Sequence, residues 1–284
     1  MAEETMNTSD RLTGIWGNFA TGKNPEPPAI RPNETASAPG RPGPGRLQGT
    51  IDAEIHSNQA LLLVNGRRDP AGGSIPGLLG FAKKSGSAWL MSAADDPFAD
   101  YFLIQIENRY EEILERVRKA GEHYHAALDE ALANEVRGTD GRTGRAYLLS
   151  ETVSAQPKKF QFRFGSHASR TLYVIVQFDR LALLIMALIH RGIIDRDQGK
   201  AEIDEVWKML RGMLGLGNNW VVTNCTRQDL RERNSAAAEA VRRLSEKNFV
   251  DMRMFGGAEE MCDYFAGYPR PKWAPKLRQA QEQD

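Results

Sequence analysis

Hydrophobic positions recur along this chain with two spacings, one typical of helices and one typical of strands. Residues 47–57 alternate, which predicts a strand, and residues 78–91 predict a helix. Asp-Asp-Pro at 95–97 is typical of a helix start. Beyond it, apolar residues step by threes and fours and end before Gly138, which predicts one long helix. The members of this heptad stripe are Leu103, Ile106, Tyr110, Ile113, Val117, Ala120, Tyr124, Ala127 and Ala131.

A strand–helix–helix run at 170–214, preceded by a basic alternating strand at 158–164, is the most informative pattern in the chain. Residues 158–164 alternate between basic or polar and aromatic side chains, and 170–178 are β-branched and aromatic, so both stretches predict strands. A helix over 179–190, stopped by Gly192, and a second helix capped near Asp195 follow. So short a unit predicts pairing with a second copy, which gives a homodimer.

Two features of this unit each allow a second interpretation. The helix over 179–190 is apolar nearly all round, so either a second copy buries it or it is the central helix of a monomeric core. The strand at 158–164 is either a ribbon that enters a DNA groove or an ordinary amphipathic edge strand, whose lysines guard against aggregation.

The remaining elements predict an α+β fold in which helices dominate. A ribbon-helix-helix-like unit at about 158–214 is embedded in a larger domain spanning 47–250. Residues 1–46 contain seven prolines and predict a disordered tail, and 251–284 are expected to be a loosely ordered tail. Residues 220–224 predict a short strand, and Thr226 is expected to cap a long helix reaching about Lys247.

Charge is balanced over the whole chain but not locally. The chain has 37 basic and 37 acidic residues, whereas 137–170 has seven basic and two acidic residues, a net charge of +5. A polyanion-binding protein needs only such a local basic footprint. The longest apolar run is nine residues, too short for a membrane helix, and no signal peptide is visible, so a cytoplasmic protein is expected.

Candidate enzyme and metal chemistry is weak in this sequence. Residues 17–24 nearly form a phosphate-binding loop but lack its final Ser or Thr and its preceding strand. His123 and His125 lie on different faces of the long helix, and Cys225 and Cys262 are too few for a sulfur-rich metal site. We therefore expect no catalytic activity, cofactor, metal or small-molecule ligand.

The basic strand offers a better-defined chemistry, namely contacts to double-stranded DNA. Arg and Gln make bidentate contacts to guanine and adenine edges in the major groove, which assigns base reading to Lys159, Gln161 and Arg163. Other residues are expected to hold phosphates or to support the reading strand. The phosphate candidates are Lys158, Arg142, Arg145 and Arg170, and the secondary candidates are Thr171 and Tyr173.

Several short motifs occur in an order that resembles a known family. They are Leu-Gln-Gly-Thr-Ile at 47–51, Asn-Gly-Arg-Arg at 65–68, Gly-Leu-Leu-Gly-Phe-Ala at 77–82, Ala-Asp-Asp-Pro-Phe-Ala-Asp at 94–100, Phe-Arg-Phe at 162–164, Phe-Asp-Arg at 178–180, Gly-Ile-Ile-Asp-Arg-Asp at 192–197 and Thr-Arg-Gln-Asp-Leu-Arg at 226–231. Together they resemble integrating conjugative element proteins that include the AcaB-like transcriptional regulators.

The resemblance implies a ribbon-helix-helix DNA-binding fold and a role in switching on conjugative transfer genes. A twofold-symmetric dimer of this kind predicts a pseudo-palindromic operator. The alternative is a structural or adaptor protein of the conjugation apparatus, with the heptad stripe as its partner-binding surface.

Overall fold

Helices make up most of the described chain, as the sequence predicts. The computed structural model describes residues 51–68, 74–136, 158–162 and 165–277. The strands are β1 (Ile51–Ile55), β2 (Arg67–Arg68), β3 (Ser74–Ile75) and β4 (Lys158–Phe162). The helices are α1 (Asn58–Asn65), α2 (Leu78–Ala93), α3 (Pro97–Val136), α4 (Ser166–His190), α5 (Arg196–Gly215), α6 (Arg227–Glu232), α7 (Ser235–Glu246) and α8 (Ala258–Ala266). Leu216–Asn218 and Met252–Met254 are short 3-10 helices.

Helix α4 includes the stretch 170–178, so the predicted strand there is wrong. Its buried side chains recur at helical spacing, as Leu172, Ile175, Phe178 and Ile185 illustrate. Helices α1, α2, α3 and α5 and strand β1 all pack against α4. The apolar environment around the helix outweighs the preference of its β-branched residues for strands.

The burial of α4 comes from its own chain, which is the second of the two interpretations that the sequence allowed. The stretch His167–His190 is long and apolar enough to cross a membrane by length and composition, but half of an apolar 18-residue segment within it is buried inside the protein. A core helix passes the same test, and the contacts of α4 with four helices are those of a core helix.

Helix α3 begins at Pro97, and its heptad stripe faces the core. Asp96 caps the helix by accepting hydrogen bonds from the amides of Phe98 (2.9 Å) and Ala99 (3.1 Å). The stripe residues Leu103, Ile106, Tyr110, Ile113, Val117, Ala120 and Tyr124 are all buried. They belong to the same hydrophobic cluster as α4, so the stripe packs within the domain.

Two small antiparallel sheets accompany the helices. Strand β1 pairs with β4, with Ala53 opposite Phe160, and β2 pairs with β3. Strand β1 covers 51–55 of the predicted 47–57, whose first residues lie outside the described part. Ala53 and Ile55 are buried and β1 contacts α4, so this sheet lies on the helical core.

The turn between α4 and α5 follows the predicted signals. Gly192 adopts a φ of 69°, which ends α4 in the left-handed region. The Asp195 carboxylate caps α5 by accepting from the amides of Asp197 (2.8 Å) and Gln198 (3.1 Å). A Cβ at Gly199 would lie 2.6 Å from Ile189 Cδ1, so this glycine allows the two helices to approach closely.

The C-terminal part of the chain differs from expectation in three places. Residues 220–224 form no strand, although Trp220 is buried and stacks on Phe102 with ring centroids 5.3 Å apart. Thr226 caps only the short α6, because Arg233 turns into the left-handed region and Asn234 caps a separate helix, α7. Where a loosely ordered tail was expected from 251, α8 packs with α6 and α7 in a second cluster that includes Phe265.

Candidate nucleic-acid interface

The proposed reading strand is an exposed strand with one polar face. Lys159 and Gln161 are exposed, and Lys158 is exposed at the start of the strand. Phe160 points to the other face, where it is partly buried against the main hydrophobic cluster. The alternation that the sequence predicts for these residues is therefore present. It leaves Lys159 and Gln161, two of the side chains expected to contact bases, exposed to solvent.

Acidic side chains on β1 share the polar face of β4. In the antiparallel register Glu54 lies opposite Lys159, and Asp52 lies opposite Gln161. Lys159 Nζ is 3.2 Å from Glu54 Oε1, and both side chains are at least half exposed. One lysine thus shares this face with two carboxylates, so the described part of the face carries no net positive charge.

Strand β4 has one paired edge within the described residues. Its partner there is β1 of the same chain. The opposite edge of β4 has no strand partner in the described part of the chain. An open strand edge carries backbone N–H and C=O groups that another strand can pair with.

Arg170, expected to hold a phosphate, lies on the first turns of α4 and stacks on an aromatic ring. Its guanidinium carbon is 3.7 Å from the centre of the Trp273 ring. Trp273 also meets Tyr110 edge-on, with ring centroids 5.4 Å apart. The guanidinium therefore contributes to the attachment of the C-terminal segment, which the pattern around residue 170 did not indicate.

Thr171 and Tyr173 also lie on α4 and not on a ribbon. Thr171 is fully buried and its hydroxyl donates to the carbonyl of His167 at 2.9 Å, so it is out of reach of DNA in this structure. Tyr173 is 51% exposed and lines a groove of about 800 Å³ between α3 and α4. Arg142, Arg145 and Arg163 lie outside the described residues.

A buried carboxylate holds the C-terminal segment against the helical core. Glu107 accepts from the amides of Lys272 (2.8 Å) and Trp273 (3.0 Å), and it lies 3.2 Å from His167 Nε2. Burial alone would raise the pKa of Glu107, but the hydrogen bonds from His167 and the two amides outweigh it and lower the pKa. The ionised carboxylate is thus the form that this arrangement stabilises.

A second buried network joins the turn between α2 and α3 to α6. Arg227 donates to Asp95 Oδ1 and to Asp100 Oδ2, both at 2.6 Å, and to the carbonyl of Tyr268 at 2.8 Å. Ser92 donates to Asp100 at 2.5 Å. Sequence reasoning placed Asp95 at a helix start and assigned no role to Asp100 or Arg227, although two of the motifs behind the family resemblance, 94–100 and 226–231, contain all three residues.

Asp96, in the same turn, is a buried carboxyl whose pKa is raised. Burial raises the pKa of Asp96 to about 6, against hydrogen bonds from the Thr223 hydroxyl and from the amides of Ala99 and Phe98. Thr223 Oγ1 donates to Asp96 Oδ2 at 2.5 Å. The cap of α3 is therefore sensitive to pH in the weakly acidic range.

Comparison with known proteins identifies the family. A family model described as "Transcriptional regulator AcaB" matches residues 43–249, which is 207 of the 284 residues. The chain belongs to the AcaB family of transcriptional regulators. This membership confirms the resemblance that the motifs indicated, and the matched range contains the β1–β4 sheet and helices α1–α7.

One solved structure is similar to this AcaB family member. It is the crystal structure of selenomethionine-containing AcaB from uropathogenic E. coli, 14% identical, with a TM-score of 0.36. The alignment covers 70% of this chain and 95% of that chain. Among curated protein sequences, none matches the chain.

Metal and thiol chemistry adds no site to the described part of this AcaB family member. No group of three His, Cys, Asp or Glu side chains within the described ranges could hold a metal ion. His123 and His125 are both exposed. Cys225 and Cys262 are buried, and burial raises the pKa of Cys225 to about 12, which keeps its thiol protonated.

Proposed function

We propose that this protein is a sequence-specific, DNA-binding transcriptional regulator of an integrating conjugative element, and that it acts as a cytoplasmic homodimer. The single observation that carries the proposal is the exposed strand β4. It precedes two helices, α4 and α5, in strand–helix–helix order, within a chain that belongs to a family of transcriptional regulators. The proposed reading side chains are Lys159 and Gln161, together with Arg163.

The dimer is supported by two surfaces of the described chain. The outer edge of β4 has no strand partner among the described residues, so two copies could pair there and bring their reading side chains side by side. The groove between α3 and α4 exposes Tyr173 and part of Leu184, which a second copy could bury. A twofold arrangement would recognise a pseudo-palindromic operator.

The alternative function, an adaptor that binds partner proteins through the heptad stripe, is not supported by the position of that stripe. The heptad stripe that would have offered a partner-helix surface is buried in the chain's own core from Leu103 to Tyr124. A helix face already covered by α4 and α5 is not free to bind a partner helix.

A selection from random duplexes tests the proposal without a known operator. The full chain is incubated with a randomised duplex library, and the bound molecules are sequenced. We expect enrichment of a pseudo-palindromic sequence, and weaker enrichment or altered base preference with Gln161→Ala and Lys159→Ala. Arg242→Ala is a matched control, because this exposed arginine is paired with Glu239 on α7.

Two results would contradict the proposal. Absence of any enriched sequence would exclude sequence-specific binding, and an unchanged preference in Gln161→Ala, Lys159→Ala and Arg163→Ala together would exclude β4 as the reader. The dimer is tested separately by light scattering of the purified protein. A mass of one 31.7 kDa chain at the concentrations where DNA is bound would exclude it.

A further inference from the structure

Basic residues outnumber acidic ones in two stretches away from β4. Residues 58–93 and 206–224 contain six basic residues, Arg67, Arg68, Lys83, Lys84, Lys208 and Arg211. Asp69 is the acidic residue in these stretches, so their net charge is 6 − 1 = +5. Since the whole chain is neutral, the remaining residues sum to −5.

The two stretches lie together in the fold. Helices α1 and α2 pack against each other, and both pack against α5. Lys84 Nζ donates to the carbonyl of Trp220 at 3.4 Å, which links α2 to the segment after α5. These basic residues therefore lie on elements that pack together, and Arg67 and Arg211 line one notch. We call the set Arg67, Lys83, Lys84, Lys208 and Arg211 the basic face.

A notch in the basic face brings two of its guanidinium groups to one place. Arg67 at the start of β2 and Arg211 on α5 line it, together with Leu62, Leu63, Pro76 and Trp207. The notch is small, with a volume of about 20 Å³. Arg211 lies over the Trp207 ring, with its guanidinium carbon 4.7 Å from the ring centre, which restricts its motion.

The cations of the basic face are available to a ligand. Arg67, Lys83 and Lys208 are exposed. None of the ion pairs among the described residues involves a member of this face, whereas exposed arginines elsewhere, such as Arg118 and Arg242, are paired with glutamates. A surface that leaves several unpaired cations together attracts polyanions.

We infer that the basic face binds the sugar–phosphate backbone of duplex DNA, while β4 supplies the contacts to bases. The inference rests on the proposed function. Its cations are spread over three elements, which suits a ligand that carries a charge every 1.7 Å or so along its axis. The apolar wall of the notch, including the 43% exposed Leu62, can pack against deoxyribose.

A separate phosphate-binding surface would compensate for the weak electrostatic attraction between β4 and DNA. At β4, Lys159 is paired with Glu54, and Asp52 lies opposite Gln161, so the reading face has little electrostatic attraction for DNA. Phosphate contacts supply most of the sequence-independent affinity of DNA-binding proteins and fix their register, and they need not lie on the reading element.

The test is a salt titration of binding to a short duplex of random sequence, with the full chain. We compare wild type with Arg67→Ala, Lys208→Ala and Arg211→Ala, singly and combined. Each lost phosphate contact should reduce the slope of log K against log salt by about 0.9, so the triple variant should lose about 2 to 3 units of slope. Arg118→Ala and Arg242→Ala are controls, and circular dichroism checks that all variants fold.

The results for wild type test the proposed function, and the results for the triple variant test the basic face. If wild type does not bind duplex at low salt, the proposed function fails and the inference fails with it. If wild type binds and the triple variant keeps its slope, the basic face is not a DNA surface, although the regulator proposal stands. Loss of binding to poly-aspartate or to phosphatidylglycerol vesicles, with DNA binding intact, would instead assign the face to an acidic protein or a membrane.

Discussion

Arg227 and Asp100 form a buried ion pair, with the guanidinium Nη2 2.6 Å from the carboxylate Oδ2. The Asp100 side chain is fully buried, and that of Arg227 is 9% exposed. The pair connects α6 to the first turn of α3, and Arg227 adds a bond to the carbonyl of Tyr268. One arginine thus fastens the small C-terminal cluster to the helical core that presents the proposed DNA-binding surfaces.

Arg227→Met should destabilise the protein severely. The substitution leaves Asp100 as a buried carboxylate without its main cation, and removing one partner of a buried pair costs about 3–5 kcal/mol. Urea unfolding followed by circular dichroism measures the change. Arg242→Met is the control, because its glutamate partners are exposed and exposed pairs contribute little. Equal losses in both variants would contradict the structural role of Arg227.

The raised pKa of Asp96 predicts that the folding stability depends on pH. Its pKa is raised from 3.8 to about 6 in the folded protein, so the folded state binds a proton more tightly than the unfolded chain. Stability should therefore fall as the pH rises from about 4 to about 6, by about 2 kcal/mol from this group alone, out of about 3 kcal/mol over its whole titration. Asp96→Asn keeps the helix cap and cannot ionise, so it should lack this component.

The measurement for Asp96 is a series of urea denaturations of both proteins across that pH range. The difference between their unfolding free energies isolates Asp96, because other titrating groups are shared. A difference that stays constant with pH would show that the Asp96 carboxyl is not perturbed.

Local patterns predicted the elements whose signals are themselves local. The start of α3 at Pro97 follows from a capping acid and a proline, and Gly192 marks the end of α4. Helix α2, predicted at 78–91, spans Leu78–Ala93. The stretch 170–178 was mistaken for a strand because β-branched and aromatic residues dominate it, while the helical spacing of its buried residues becomes visible only when it is joined to residues 181–189.

Contacts between distant residues could not be predicted from these patterns. Asp179, the first residue of the helix predicted over 179–190, lies instead within α4, where it is buried and accepts from the amides of His56 (2.9 Å) and Ser57 (2.7 Å), more than 120 residues away. The attachment of Trp273 to Arg170 is of the same kind. Such pairs depend on the packing of whole helices, which no short window of sequence contains.

Arg170→Ala should affect stability and not DNA binding. Loss of the stacking on Trp273 should cost about 0.5–2 kcal/mol, the range of cation–π contacts from exposed to desolvated sites. The slope of log K for duplex binding against log salt should equal that of wild type. Trp273→Ala should lower stability as well, since it removes the same contact from the other side. A smaller salt slope in Arg170→Ala would restore this residue as a phosphate contact.

Glu54→Gln should strengthen the binding of DNA at β4. Glu54 Oε1 lies 3.2 Å from Lys159 Nζ, so the carboxylate competes with phosphates for this lysine and repels the duplex. We expect tighter binding to random duplex at low salt, and a salt slope steeper by up to about 0.9, as for one additional phosphate contact. Fluorescence anisotropy with labelled duplex measures both quantities.

Glu246→Gln, which removes an exposed carboxylate paired with Arg242 on α7, is the matched control for the change in net charge. Equal increases in both variants would indicate a general effect of charge, and no increase in Glu54→Gln would place DNA away from Lys159.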